Sequence, residues 1–492
     1  MSETKEAFIK ESVLITEDSD IVEKAAPPRR KQTWRRYLWD TFDKPPKERR
    51  LLFKLDAALL TFASLGYFVK TLDQNNINSA FVSGMKEDLG LYKNELNYMQ
   101  ACWTVGYAIG EIPSNLLLTR IRPRYWLPAM EILWTILTFS LSRCHTPTQI
   151  YILRFFIGLS ESTFYPGMQY IIGSWYRKDE LAKRSCIFQA SGAIASMLSG
   201  CLMVGAYKLD GVGGYKGWQW LFLLDGMISL PVGILGFFLL PDVPEIASPR
   251  FLSQEEVALA QKRMKLEGRK DREPFSKAKM KRIFSSWHLP LLVSVQLRDT
   301  LSTGLPTGHR YLKASTSPTY SVPEINIYPS ATSAVQVVTT LAYAWLSDSL
   351  FGGRRWPPIL FGGIIDLACS IPLSTWTISA PGKWTCWILW GAGYGLSGLC
   401  LTWAQEICSA DNEERALVVA AMNTSAHVVG AWLPLIVWQQ VDAPEYCRGY
   451  ISSAGMAVVL VCMVGIVRGM ERREAGGGEQ NKDGVEEVVP GP

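Results

Sequence analysis

Apolar stretches of membrane-crossing length recur along the chain in two groups of about six, parted by a charged segment, and this pattern limits the fold more than any other feature. A helix needs roughly 20 apolar residues to cross the hydrocarbon core. The first group lies near 52–71, 97–118, 125–142, 150–173, 186–207 and 218–240, the second near 289–312, 329–350, 356–378, 384–407, 414–438 and 450–469. Lipid offers no partner to a free backbone N–H or C=O, so spans of this length fold as helices. The expected fold class is an all-α integral membrane protein with about 12 transmembrane helices in two six-helix halves. A mean hydropathy of +0.08 fits because charge is confined to blocks. The expected organisation is a disordered tail over 1–50, an N-terminal half over 51–240, a central loop over 241–288, a C-terminal half over 289–470 and a disordered tail over 471–492.

Orientation follows from the short loops, because Lys and Arg collect on the cytoplasmic side. Arg120, Arg122 and Arg124 follow the second span, Arg177, Lys178, Lys183 and Arg184 the fourth, and Arg354 and Arg355 the eighth. Both termini and the central loop are therefore expected in the cytoplasm of a multi-pass plasma-membrane protein, and the start of the chain has no basic and apolar signal-peptide pattern. In the central loop, Arg250 to Gly268 alternates apolar and charged residues at helical spacing, as a helix on the membrane surface would. The basic and aromatic stretch Pro27 to Trp39 reads either as a topology signal or as a contact for anionic headgroups. Basic runs sit where topology wants them, so no nucleic-acid partner is indicated.

Charges inside the spans carry the chemistry. In Gln149 to Trp175, residues Arg154, Gly158, Glu161 and Tyr165 fall on one helical stripe, and such charges are costly unless they face a bundle interior or a watery cavity. Arg154 offers a planar fork to a carboxylate, or it snorkels or pairs with a neighbouring helix. Glu161 is placed either to carry a coupling proton or to hold a fixed ion pair, with Asp73 a second proton candidate at the outer end of the first span. Asn75, Asn76, Asn78 and Tyr165, with Trp403, Gln405, Glu406, Asn423 and His427 from the second group, are further polar candidates for a substrate site. The second span ends Glu111-Ile-Pro-Ser-Asn before Arg120-Ile-Arg-Pro-Arg, and the eighth ends Ser347-Asp348 before Arg354-Arg355. An acid at a helix end facing a basic loop either forms a gating ion pair or marks topology alone; Asp348, Arg354, Arg355 and Arg120 are the gating candidates. The seventh span carries Arg298, Asp299, His309 and Arg310, which suits a functional polar helix, a divergent one or an error in the encoded sequence.

Eight of the ten cysteines lie in or beside apolar runs, while Cys144 and Cys447 fall in expected outside loops where a bridge is possible. His145, His288, His309 and His427 have no metal-ligand spacing, so no metal site and no cofactor is expected. No nucleophile, metal cluster or acid–base pair at reactive spacing points to an enzyme. Two such halves joined by a charged loop suit a transporter built from repeats, with its site near the midplane.

Several stretches resemble the anion:cation symporters of the major facilitator superfamily, in their fungal allantoate and vitamin permease branch. These are Leu72 to Leu91, similar to the family's first outside loop, Arg154 to Gly167, similar to its fourth-helix motif, Tyr311 to Ser315, Tyr320 to Pro329 and Val441 to Tyr450. The resemblance covers about 50–470 and is closest to pantothenate transporters, through Gln74 and Ala80 to Met85; many relatives have Arg at the position of Gln74. It implies a major facilitator fold and proton-coupled uptake, by a monomer, of a small organic carboxylate such as pantothenate. Biotin, nicotinate, allantoate, a cluster product or loss of transport are the alternatives. Under it Arg154, Glu161, Tyr165, Asn76, Trp403 and Asn423 bind substrate, and Glu161 and Asp73 couple the proton.

Overall fold

The computed structural model describes residues 39–486 except 92–94, 119, 247–250, 267–275, 303–327, 329, 410 and 439–444. It divides the chain into Met1–Lys44 and Pro45–Pro492. Of the first unit the described part is a single 3-10 turn, Asp40–Asp43. The second unit holds all the spans.

The first span rises as Pro46–Leu55, passes through a π-turn at Asp56–Leu60 and continues as Thr61–Ala80. The next five are Glu95–Leu118, Pro123–Leu141, Pro147–Glu161 continued by Phe164–Trp175, Lys178–Tyr207 and Gly217–Leu239. Helices Gln254–Leu266 and Lys277–Ser285 lie between the halves in sequence. The second half runs His288–Ser302, Ser330–Trp345, Trp356–Thr375, Ala380–Tyr394 with Ser397–Ile407, Asn412–Val437 and Cys447–Glu486. Among the described residues there is no strand. Among the described residues five helices are apolar and long enough to cross a membrane by themselves: Pro46–Ala80, Asp179–Tyr207, Gly217–Leu239, Trp356–Thr375 and Cys447–Glu474. The end of the bundle where the first span begins and the twelfth finishes is the tail end.

Local chemistry sets the ends. Thr146 and Gln149 form a capping box at the start of the fourth span, with Pro147 at its first helical position, where a missing N–H costs nothing. The eighth span stops at Gly352 and Gly353, whose φ values of 60° and 86° suit glycine and turn the chain back within two residues. The second and fourth spans touch through their backbones. A Cβ on Gly158 would sit 2.2 Å from the Trp103 carbonyl oxygen, and one on Gly106 would sit 2.1 Å from that of Phe155. Small residues allow this approach where water cannot drive helices together.

Several expectations need correcting. The first span does not end near 71; helix runs on through Ala80 and a π-turn to Met85, so Asp73, Asn76 and Asn78 are helical rather than in an outside loop. The fourth is broken at Ser162–Thr163, between two helices. Helix begins at Pro46, inside the expected first tail, and the twelfth span continues past 470 to Glu486. Helix Gln254–Leu266 is packed into the tail end by ion pairs from Lys54 to Glu256 and from Arg263 to Glu48, each 2.7 Å, with Arg263 also 2.6 Å from Glu180. Cys144 and Cys447 are free. In the seventh span Arg298 and Asp299 lie on helix, while His309 and Arg310, with the 311–315 and 320–327 stretches, fall outside the described residues, as do residues 1–38.

Candidate functional site

A cavity of about 390 Å³ opens between the halves. Its first-half wall is Lys70, Gln74, Tyr107, Tyr165 and Gln189, and its second-half wall is Gln296, Gln336, Ser397, Asn423 and His427. Amides and hydroxyls dominate, with one buried ammonium among them. Lys70 is 3% exposed. Its Nζ donates to the Tyr107 hydroxyl at 3.1 Å and lies 4.6 Å from that ring's centroid. It stands one helical turn before Gln74, which puts both on one face.

Glu161 is fully buried behind this wall and reaches it through Gln74, whose Nε2 donates to Oε2 at 3.0 Å; Trp103 Nε1 donates to the same oxygen at 3.3 Å. The other oxygen, Oε1, has no hydrogen-bond partner. Arg154 is buried one layer further out. Its Nε and Nη1 have no hydrogen-bond partner, and its guanidinium lies 5.9 Å from the Trp103 ring centroid, within electrostatic reach of Asp73 and Glu161. Asp73 is 2% exposed and accepts from Thr138 Oγ1 at 2.7 Å, so it is not the water-facing group expected at an outer helix end.

The stripe on the fourth span is thus real but does not face the cavity as one unit. Gly158 packs on the second span, and Arg154 faces the Trp103 ring rather than lining the cavity, as Lys70 does. Tyr165 does line it, donating to Gln189 Oε1 at 2.6 Å. Asn76 is fully buried elsewhere, and Trp403 is a core residue at 2% exposure. Asn423 and His427 reach the cavity, Asn423 donating from Nδ2 to the Tyr107 hydroxyl at 3.1 Å and to Glu111 across the two halves. Lys70 and Glu111 are the functional candidates that sequence reading passed over. A lysine inside the apolar run of the first span, near 52–71, was the signal for the first; Glu111 was read only as a possible partner of Arg120.

Toward the tail end the halves are joined. The Lys183 backbone N–H donates to Asp348 Oδ2 at 3.0 Å, Gln405 Nε2 to Gln169 Oε1 at 3.3 Å, and Arg415 Nη2 to Ser174 Oγ at 2.9 Å. Asp348 is paired with Arg355, whose Nη2 is 2.6 Å from Glu406 and whose Nη1 donates to Ser347 Oγ at 2.8 Å. The structure brings Asp348 and Arg355 together and adds Glu406, which had been expected near substrate. Arg354 and Arg120 are exposed and stand outside this cluster.

The sequence matches the Major Facilitator Superfamily over residues 63–434. It is 33% identical to the pantothenate transporter liz1 of Schizosaccharomyces pombe over 87% of this chain and 84% of that one. It is 35% identical to the MFS transporter PfmaC of Pestalotiopsis fici over 85% of this chain and 80% of that one. Among solved structures the proton:xylose symporter XylE superposes with a TM-score of 0.66, covering 82% of this chain and 94% of that one at 15% identity.

Proposed function

The chain belongs to the major facilitator superfamily, as a membrane-embedded secondary transporter rather than an enzyme, and from that premise we propose that it takes up a small organic carboxylate, pantothenate first among candidates, together with protons across the plasma membrane. Both termini are then cytoplasmic and the tail end faces the cytoplasm. The observation that carries this reading is Lys70: a buried ammonium in an amide-lined cavity. Lys70 supplies the cation one turn before Gln74.

A carboxylate entering the cavity pairs with Lys70, while Gln74, Gln189, Gln296 and Asn423 offer donors and acceptors to amide and hydroxyl groups such as those of pantothenate. Glu161 takes the coupling proton, reaching the substrate site through its hydrogen bond from Gln74. Anion and proton load together. Arg154 and Asp73 hold that carboxylate's surroundings from behind, and Asp348, Arg355 and Glu406 gate the cytoplasmic end. A yeast lacking its own pantothenate permease tests the reading: expression should restore growth on low pantothenate, with labelled biotin, nicotinate and allantoate uptake measured in parallel. Growth that stays dependent on high pantothenate while another labelled anion accumulates overturns the substrate; no uptake of any anion overturns the transport reading.

A further inference from the structure

We propose that the tail end of the second half holds a binding site for one divalent cation of zinc type, built from His288, Cys408 and Glu414, with the fourth position open to water. One ligand atom from each of the three lies within 4.8 Å of the others. They come from three places in the chain: the start of the seventh span, the turn after the tenth and the first turn of the eleventh. His288 Nδ1 is 2.6 Å from Glu414 Oε1, and His288 Nε2 is 3.6 Å from Glu474 Oε2, a separation too long for a hydrogen bond. Glu474 is oriented by Trp287, whose Nε1 donates to its other oxygen at 2.7 Å. Glu474 thus stands on the Nε2 edge of the ring, opposite Glu414, where it orients the imidazole for ligation through Nδ1.

The donor set selects the metal. One sulfur, one imidazole and one carboxylate suit a borderline ion in four-coordinate geometry, whereas magnesium and calcium prefer oxygen alone. Cys408 is 3% exposed and lies beside Glu414. Binding then releases the thiol proton to solvent and forms a sulfur–metal bond. His288 and Glu414 already touch, and a ligand atom of Cys408 lies within 4.8 Å of theirs. His288 stands 126 residues before Glu414, which hides the set from any short spacing rule.

The test uses the full chain purified in detergent, with zinc and cobalt(II) as probes. One zinc per chain should survive dialysis, and cobalt(II) should give a thiolate-to-metal charge-transfer band. Cys408→Ser should abolish that band and weaken zinc binding at least about tenfold, with His288→Ala weakening it comparably, while Cys462→Ser, at an exposed cysteine, should change neither. Zinc should also slow alkylation of Cys408 by a maleimide in the unmodified chain, read by peptide mass, which needs no variant to fold. No zinc retained, a charge-transfer band that persists in Cys408→Ser, or alkylation indifferent to zinc overturns the site.

Discussion

The backbone N–H of Lys183, in the first half, donates to Oδ2 of Asp348, in the second, at 3.0 Å, while the other oxygen of Asp348 pairs with Arg355. One carboxylate therefore ties the halves together and neutralises a fully buried guanidinium. Removing one partner of a buried pair costs on the order of 3–5 kcal/mol, and Glu406 compensates part of this for Arg355. Asp348→Asn should therefore keep the protein folded but loosen the tail end. In a Ser397→Cys background, whose cysteine lines the cavity, alkylation by a reagent supplied from the tail side should accelerate; an unchanged rate would show that Asp348 does not gate.

Lys70 and Arg154 make opposite predictions for affinity. Loss of a charge-assisted bond of roughly 1.5–3 kcal/mol corresponds to about ten- to more than hundredfold weaker binding. Lys70→Gln should show that loss for a carboxylate substrate, whereas Arg154→Lys, at a residue that faces the Trp103 ring rather than lining the cavity, should stay within about threefold of the parent. Equilibrium binding on surface-expressed protein decides it, and the reverse order would return the carboxylate to Arg154.

Glu161→Gln separates coupling from binding. A side chain that cannot ionise cannot cycle a proton, so accumulation driven by external acid should fail while exchange of labelled for unlabelled substrate continues. Full acid-driven accumulation in this variant would move the proton site to Glu111 or Asp73.

Gly158→Ala tests the backbone contact of the second and fourth spans. The added methyl meets the Trp103 carbonyl at 2.2 Å, and overpacking of this kind costs about 1–3 kcal/mol. The thermal unfolding midpoint in detergent should fall, whereas Gly200→Ala, with open space around it, should leave it unchanged.

The docking of the central segment should depend on pH only at the extremes. Partial burial raises Glu256, but the hydrogen bond and charge of Lys54 outweigh it and leave the carboxyl below its usual 4.5. Its contribution is present above that value and is lost as pH falls through the lowered one. For Lys279 burial works downward, yet Glu413 and Asp411 raise it above 10.5, so its contribution holds below 10.5 and is lost as pH climbs through the raised value. Cleavage within Gln254–Leu266 and Lys277–Ser285 by enzymes active at each pH should be slow from about pH 5 to 10 and faster outside; acceleration near pH 7 would contradict the assignment.

Much was legible in one dimension. Apolar runs of bilayer length, basic residues in alternate loops and two groups of six spans led to the membrane class and the repeat architecture, because lipid forces every backbone group into a helix and charge into the loops. The stripe of Arg154, Glu161 and Tyr165 was legible for the same reason of helical period. Which of these side chains meets the cavity was not. Arg154 faces the Trp103 ring of the second span, the lengthened first span carries Lys70 and Gln74 inward, and Asn423 answers Tyr107 and Glu111 from more than 300 residues away. Periodicity orders residues around their own helix axis, but the rotation of each helix toward its neighbours comes from packing, here the backbone contact at Gly106 and Gly158. The tertiary structure alone therefore decided that a lysine, not the arginine of the motif, lines the cavity between the halves.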